Sequence, residues 1–285
     1  MDNRRITAEA LERLSECDDS RLREVMTSVI EHVHEIVREV KPSMEEWRKA
    51  IDFLTDVGHW SDEKRQEFII LSDTLGVTML VDAICHQMPE GATETTVLGP
   101  FFVDGAESFS YGANISKGRG GESTLVTGSV TGLDGKPIGK ARLDVWQAGP
   151  DGFYDVQKPD EFAEGNLRGV FETTETGHCA FCTVKPAPYP VPTDGPVGLM
   201  LLATGRHAWR PAHLHFIITA AGFQSVTTHL FVAGSEYLEG DVVQAVKESL
   251  IVDFTECDDS EEAARFNLPV PYFKLDHQFV LSPTS

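Results

Sequence analysis

His213 and His215 stand one residue apart in the stretch GRHAWRPAHLHFIIT, followed at once by Phe216, Ile217, Ile218 and Thr219. The β-branched and aromatic residues in that tail favour a strand. On a strand, side chains at i and i+2 leave the same face, so the two imidazoles project together, as a metal-binding pair must. Pro211 suits the first residues of a strand, where no ladder donor is needed. By itself the pair is a weak signal, and two core or surface histidines on a strand are the commoner reading. Two of the five tyrosines sit in unusual settings: Tyr154 in GPDGFYDV and Tyr189 in KPAPYPVP. The prolines around Tyr189 fix the backbone and hold the phenol in a set direction. The plain alternative for each is a turn tyrosine with its ring on the core and its hydroxyl in water. A set of ligands on strand ends and loops, 35 residues apart from Tyr154 to Tyr189 and 24 from Tyr189 to His213, suits an iron site built from oxygen and nitrogen. A phenol ionises near pH ~10 in water, so it becomes a ligand at neutral pH only with strong cationic help. Ferric iron supplies that help; a zinc hydrolase would more usually employ His, Cys and carboxylate.

The elements that must position these groups change character along the chain. Residues 1 to 92 read as helical. Thr7 is placed to cap a first helix, and Asp18 or Ser20 a second. In that second helix Leu22, Val25, Met26, Val29, Ile30, Val33, Ile36, Val37 and Val40 recur at spacings of three and four, an amphipathic pattern. Lys41-Pro42 ends it. Ser43 with Glu46 three residues on reads as a capping box opening a third helix, and Ser61 as the start of a fourth. His32 and His34, two apart on a helix, point in opposed directions and read as structural histidines. From residue 93 to 285 short apolar runs alternate with Gly and Pro: Leu125–Thr127, Ala141–Trp146, Leu199–Leu202, Phe216–Ile218 and His229–Val232. That punctuation suggests a β-sandwich or barrel, with the hairpin signal Asp134-Gly135 and one helical insertion near 241–252. The expected fold class is therefore mixed α and β, an N-terminal helical domain (1–92) followed by a β-sandwich (93–285).

The 285 residues carry a net charge of −21, which argues against nucleic acid and anionic membrane surfaces as partners. No apolar run approaches the roughly 20 residues that span a bilayer, and MDNRRITAEALERL has no signal-peptide core, so the expected location is cytoplasmic. Five scattered cysteines do not read as a disulfide framework. His178, Cys179 and Cys182 form H-C-x-x-C, but no second cysteine pair accompanies them, and Ala180–Val184 alternates like a strand.

The ordered set VLGPFF (97–102), DVWQAGPDGFY (144–154), LRGVFETTETG (167–177), KPAPYPVPTDGPVG (185–198) and GRHAWRPAHLHF (205–216) resembles the intradiol ring-cleaving dioxygenases over nearly the whole chain. SDTLGVTMLVDAI (72–84) and ATETTVLGPFF (92–102) are most similar to the members that cleave hydroxyquinol, with catechol and chlorocatechol cleavage as the near alternatives. The resemblance implies one non-haem Fe(III) per subunit, held by Tyr154, Tyr189, His213 and His215, with Tyr189 the ligand that leaves and Arg210 stabilising charge on the substrate. It implies O2-dependent cleavage between two hydroxylated ring carbons, giving 3-hydroxy-cis,cis-muconate, a tautomer of maleylacetate, in aromatic-compound catabolism. It places Leu80, Asp82, Val97, Leu98, Gly99, Pro100, Phe101, Val191 and Pro192 on the substrate pocket, with Asp82 accepting from the third hydroxyl; otherwise Asp82 is a helix-surface carboxylate. His229 stands where members of the family often carry glutamine, either near the substrate or as a satisfied core histidine. The resemblance also implies a homodimer through the N-terminal helices, with a phospholipid in an apolar tunnel between them. Two other readings are a non-catalytic sandwich module and a zinc or Fe(II) oxygenase using the two histidines and a carboxylate.

Overall fold

The computed structural model describes residues 3–62 and 65–284. The chain divides into two compact units, up to Asp56 and from Val57.

The first unit is helical: α1 (Asn3–Glu12), α2 (Ser20–Val40) and most of α3 (Met44–His59). Asp19, between the two expected capping residues, caps α2 by accepting from the N–H groups of Arg21 (2.9 Å) and Leu22 (3.0 Å). Lys41 turns left-handed (φ 51°) before Pro42 and ends the helix. The Ser43–Glu46 box forms in both directions, at 2.7 and 3.2 Å. Thr7 does not cap α1, which starts earlier; its hydroxyl meets His34 Nδ1 (2.8 Å) and accepts from Arg38 (2.9 Å). The apolar stripe of α2 lies on the surface of this unit, with Leu22, Val29, Val33 and Ile36 about half exposed or more.

The second unit begins with α4 (Glu67–Thr74) and α5 (Val77–Cys85), bent 77° apart at Gly76. α4 opens at Glu67, six residues after Ser61. The strands follow: β1 (Ser123–Gly132), β2 (Arg142–Gln147), β3 (Arg168–Glu172), β4 (His178–Val184) and β5 (Tyr189–Pro190). After α6 (Pro196–Ala203) come β6 (Trp209–Arg210), β7 (His213–Thr219), β8 (Val226–Val232), β9 (Ile251–Val252) and β10 (Thr255–Cys257). α7 (Ser260–Arg265) and β11 (Tyr272–Leu281) complete the chain.

Two sheets face each other, ordered β10-β11-β1-β4 and β3-β2-β7-β8-β9, and β5 and β6 form a separate ribbon. β1 lies antiparallel to β4 and parallel to β11. Alternate residues from both sheets meet as rings between the layers. Phe181 of β4 lies 5.0 Å from Phe171 of β3, and Phe216 of β7 lies 5.0 Å from Phe279 of β11. This is the expected class, helices preceding a β-sandwich. Among the described residues no single helix is long and apolar enough to cross a membrane.

Two local expectations fail for identifiable reasons. Leu199–Leu202 lies in α6, not in a strand. A short run that is apolar on every side reads alike as strand or buried helix, and Pro196 in the first turn favours the helix. Glu67 completes that helix start by accepting from the N–H of Val197 at 3.1 Å. The helix expected at 241–252 is reduced to one 3₁₀ turn, Glu248–Leu250. Asp241 instead accepts from the N–H groups of Val243 and Ala245, and Gln244 is left-handed (φ 59°). The side chain has diverted those donors into a turn.

A buried ion pair ties the loops around Tyr154 to the sheet. Arg168 on β3 donates to Asp155 Oδ1 (2.7 Å) and to the carbonyl of Phe101 (2.7 Å). Removing one partner strands the other charge in a dry site. Arg168→Met is therefore expected to lower stability by about 3 kcal/mol, read from the urea midpoint at unchanged slope. A loss under about 1 kcal/mol would show that the loops do not depend on the pair.

Candidate active site

The middle of the five-stranded sheet sets up the site by register. Trp146 on β2, His215 on β7 and His229 on β8 are direct cross-strand partners. Facing residues on one side of a sheet lie close enough to touch. Trp146 stacks on the His215 ring (4.6 Å, 15° between planes), and His229 Nε2 lies 2.7 Å from His215 Nδ1. His213, two residues before His215, shares that face as the strand period requires.

The tyrosines arrive from loops held by specific bonds. Tyr154 precedes a one-turn 3₁₀ helix, and its N–H donates to Gln157 Oε1 (2.9 Å). Phe101 stacks on its ring at 4.6 Å. Tyr189 lies on β5 opposite Arg210 on β6. The hydroxyls of Tyr154 and Tyr189 are 3.2 Å apart; Tyr154 Oη is 3.0 Å from His215 Nε2, and His215 Nε2 is 3.1 Å from His213 Nε2. Arg210 Nη1 completes the ring at 3.4 Å from Tyr189 Oη and 3.3 Å from His213 Nε2. All five side chains are buried.

The protons in this ring can be assigned in part. His213 Nδ1 is 2.7 Å from the carbonyl of Pro211. A carbonyl only accepts, so Nδ1 carries the hydrogen and Nε2 presents a lone pair to the centre. Burial, then the Arg210 charge, holds His213 well below the usual imidazole range. Burial, then neighbouring imidazoles and Arg210, does the same for His215 and His229. Neutral imidazole is the form that ligates metals. Burial and the adjacent Tyr189 push Tyr154 well above the usual phenol range, against the pull of Arg210 and Arg168. Arg210 is held cationic: burial opposes its charge, but Asp241 and the two tyrosines outweigh that. Asp241 Oδ1 accepts from Arg210 Nε at 3.1 Å.

This donor set fits a metal ion. Neighbouring ligand atoms 3.0 to 3.2 Å apart match the spacing that bonds of about 2 Å impose. His213, His215 and His229 offer candidate nitrogens within 4.8 Å of one another, a cluster suited to a mononuclear non-haem Fe(III). The phenols select for a hard, highly charged ion able to ionise them. The cysteines take no part. Cys179 and Cys182 are raised to about 12 and about 11 by burial, which suits core packing and not zinc.

Beside the cluster opens a cavity of about 490 Å³ lined by Ile70, Pro100, Phe101, Val191 and Pro192 among others. Four of those five belong to the expected pocket wall. Val97 is buried, and Gly99 lies against His215. Leu98 is exposed. Leu80 and Asp82 are not among the residues lining that cavity. On α5, past the bend at Gly76, Leu80 is 62% exposed. Asp82 bonds His86 (2.8 Å) and Thr95 (2.9 Å), with Lys247 3.8 Å away. A further acid, Asp73 near the end of α4, lies within the electrostatic influence of Arg210 and Asp241. It is 3% exposed, and its Oδ1 has no hydrogen-bond partner in the protein. Burial raises its pKa against the pull of Thr78 and Arg210. Asp73 lies inside SDTLGVTMLVDAI; a single acid in an apolar helix was visible there twice, and only the bend distinguishes the two.

Residues 97–283 match the profile of the family described as Dioxygenase, and residues 19–93 that of Catechol dioxygenase N terminus. The chain is 50% identical over 271 residues to a hydroxyquinol 1,2-dioxygenase of a Rhizobium species, covering 95% of this chain and 92% of that protein. It is 45% identical over 284 residues to a 6-chlorohydroxyquinol 1,2-dioxygenase of Cupriavidus pinatubonensis, covering 99% and 98%. The crystal structure of a hydroxyquinol 1,2-dioxygenase from Pseudomonas putida superposes with a TM-score of 0.92 at 44% identity, over 99% of each chain.

Gly99 has φ +78°, and a Cβ there would stand 3.2 Å from His215 Cε1, the carbon between both ring nitrogens. Gly99→Ala adds roughly 1–2 kcal/mol of backbone strain and presses on that ring. Metal analysis of the purified variant is expected to find less iron per chain than wild type, with a lower Tm. Unchanged iron content would remove Gly99 from the account of the site.

Proposed function

We propose, from the premise that this chain belongs to the intradiol ring-cleaving dioxygenases, that it opens hydroxyquinol (benzene-1,2,4-triol) with O2 to 3-hydroxy-cis,cis-muconate. Tyr154, Tyr189, His213 and His215 are the ligands of the Fe(III) in this reading. What supports the assignment is the convergence of their four polar atoms, each 3.0 to 3.2 Å from a neighbour in the set. Bound there, Fe(III) supplies the Lewis acidity that ionises an adjacent diol and draws electron density from its ring.

The protein's part begins with binding. Ile70, Phe101, Val191 and Pro192 line the cavity at the site and offer apolar contact to an aromatic ring. Tyr189, alone of the two phenols, also has the Arg210 guanidinium at 3.4 Å. With the metal bound, its oxygen would be the base that accepts one proton from the diol. Arg210, aimed by Asp241, then faces the negative charge that develops on the substrate. Fixed cationic donors in a water-poor pocket contribute strongly at that stage. Both atoms of O2 end in the two new carboxyl groups, and the bond broken is the one between the hydroxylated carbons.

Asp73 supports the triol as the preferred substrate, because it lies one turn after Ile70, which lines the cavity, on the same side of α4. Its free Oδ1 is buried, and catechol has no third hydroxyl to offer it. The relatives named above as acting on hydroxyquinol or its 6-chloro derivative are consistent with this choice. The exposed apolar stripe of α2 supports assembly as a homodimer through the N-terminal helices, with a phospholipid in an apolar tunnel between them.

Purified protein is expected to be red-brown from tyrosinate-to-iron charge transfer, and Tyr154→Phe to bleach or shift that band; a colourless active enzyme would end the ferric reading. Asp73→Ala is expected to cost about 10- to 100-fold more in kcat/KM on hydroxyquinol than on catechol, the worth of one charge-assisted hydrogen bond. Equal losses on the two substrates would return Asp73 to a structural role.

A further inference from the structure

His229 is fully buried, and both of its ring nitrogens are occupied. Nε2 is 2.7 Å from His215 Nδ1, and Nδ1 is 2.7 Å from Thr96 Oγ1. Thr96 is itself fixed to the same strand, its N–H donating to the carbonyl of Thr227 at 2.9 Å. The chain Thr96–His229–His215 therefore runs from the sheet edge to the site through two short bonds. Two proton arrangements satisfy it. In one, Thr96 donates to His229, His229 donates to His215, and His215 Nε2 carries a hydrogen that blocks it as a ligand. In the other, His215 Nδ1–H donates to His229 Nε2, His229 Nδ1–H donates to Thr96 Oγ1, and His215 Nε2 presents a lone pair. Only the second leaves His215 free to bind metal.

We propose that His229 is a positioning residue: with Thr96 it accepts the Nδ1 proton of His215, and so fixes the tautomer and ring orientation that turn His215 Nε2 toward the iron. His229 is thus behind the ligand and not a ligand itself, because the nitrogen nearest the site is committed to His215. Trp146 stacked on the His215 ring sets its plane; His229 sets its rotation within that plane. This rests on the ferric reading above. Glutamine at 229 can serve the same role, since its carbonyl accepts from His215 and its amide donates to Thr96.

The test compares wild type, His229→Gln, His229→Leu and Thr96→Val for iron release to a ferric chelator, for the tyrosinate-to-iron band, and for the Tm of the metal-free form. His229→Leu is expected to release iron about 10- to 100-fold faster, as loss of such an orienting partner does, and to shift the band. His229→Gln is expected to stay within about threefold of wild type, rescuing the site by hydrogen bonding alone. Thr96→Val keeps shape and fold and is expected to release iron several-fold faster than wild type. Wild-type release and an unmoved band in both His229→Leu and Thr96→Val would overturn the proposal. So would a His229→Gln protein as leaky as His229→Leu at equal Tm, which would assign the effect to packing. A wild-type protein without the band would overturn the ferric reading itself, and this inference with it.

Discussion

A dry pocket with too many lone pairs and too little positive charge governs this molecule. His213 Nε2, left with its lone pair by its partner nitrogen's bond to a carbonyl, faces His215 Nε2 at 3.1 Å. Two phenol oxygens close the same ring, and burial opposes the ionisation of the one nearest His215. Arg210 is the cation at hand, and Asp241 already takes much of its charge. Such a set is costly to bury without compensation. A trivalent cation would resolve the conflict: it would satisfy the imidazole lone pairs and, on the function proposed above, ionise the Tyr154 phenol that burial alone holds protonated.

The rest of the fold can be understood as the means of holding that conflict in place. Donors that repel one another drift apart unless their backbones are fixed. The histidines lie on a central strand flanked by β2 and β8, so the ladder fixes their height, and the Trp146–His215–His229 row fixes their faces. The tyrosines are on loops, where the ladder cannot help. There Arg168 joins Asp155, beside Tyr154, to the carbonyl of Phe101, whose ring lies against that tyrosine. The short ribbon of β5 and β6 pairs Tyr189 directly with Arg210, so a ligand and the cation that attends it move as one unit.

Much of this was legible in the residues. The strand period made the His213–His215 pair predictable, the prolines around Tyr189 signalled a fixed phenol, and the capping box at Ser43 formed as written. The β-sandwich followed from its punctuation. What failed did so where a local pattern admits two answers. Leu199–Leu202 is apolar on all sides, and Glu67, 130 residues away, joins Pro196 in turning the balance toward a helix start. Asp73 and Asp82 both sit in apolar helical sequence, and a 77° bend puts them on separate helices. His229 shows no pattern of its own, because its meaning lies in a partner across a strand pair.

That last failure separates two kinds of information in the chain. The groups for the chemistry come from the sandwich and its loops, where strand register and local turns decide position over a few residues. Asp73 comes from α4, which is tied to α6 by Glu67 accepting from Val197 and to the segment before β6 by Arg206 donating to the carbonyl of Thr74 at 2.7 Å. On the proposed function, a substitution on α4, where Ile70 lines the cavity, can therefore reshape the wall that meets the ring without touching the strands that carry His213, His215 and His229. A one-residue slip of β7 would instead turn His213 and His215 to the opposite face together. The architecture leaves choice of ring free to vary while the iron chemistry stays tied to the sheet.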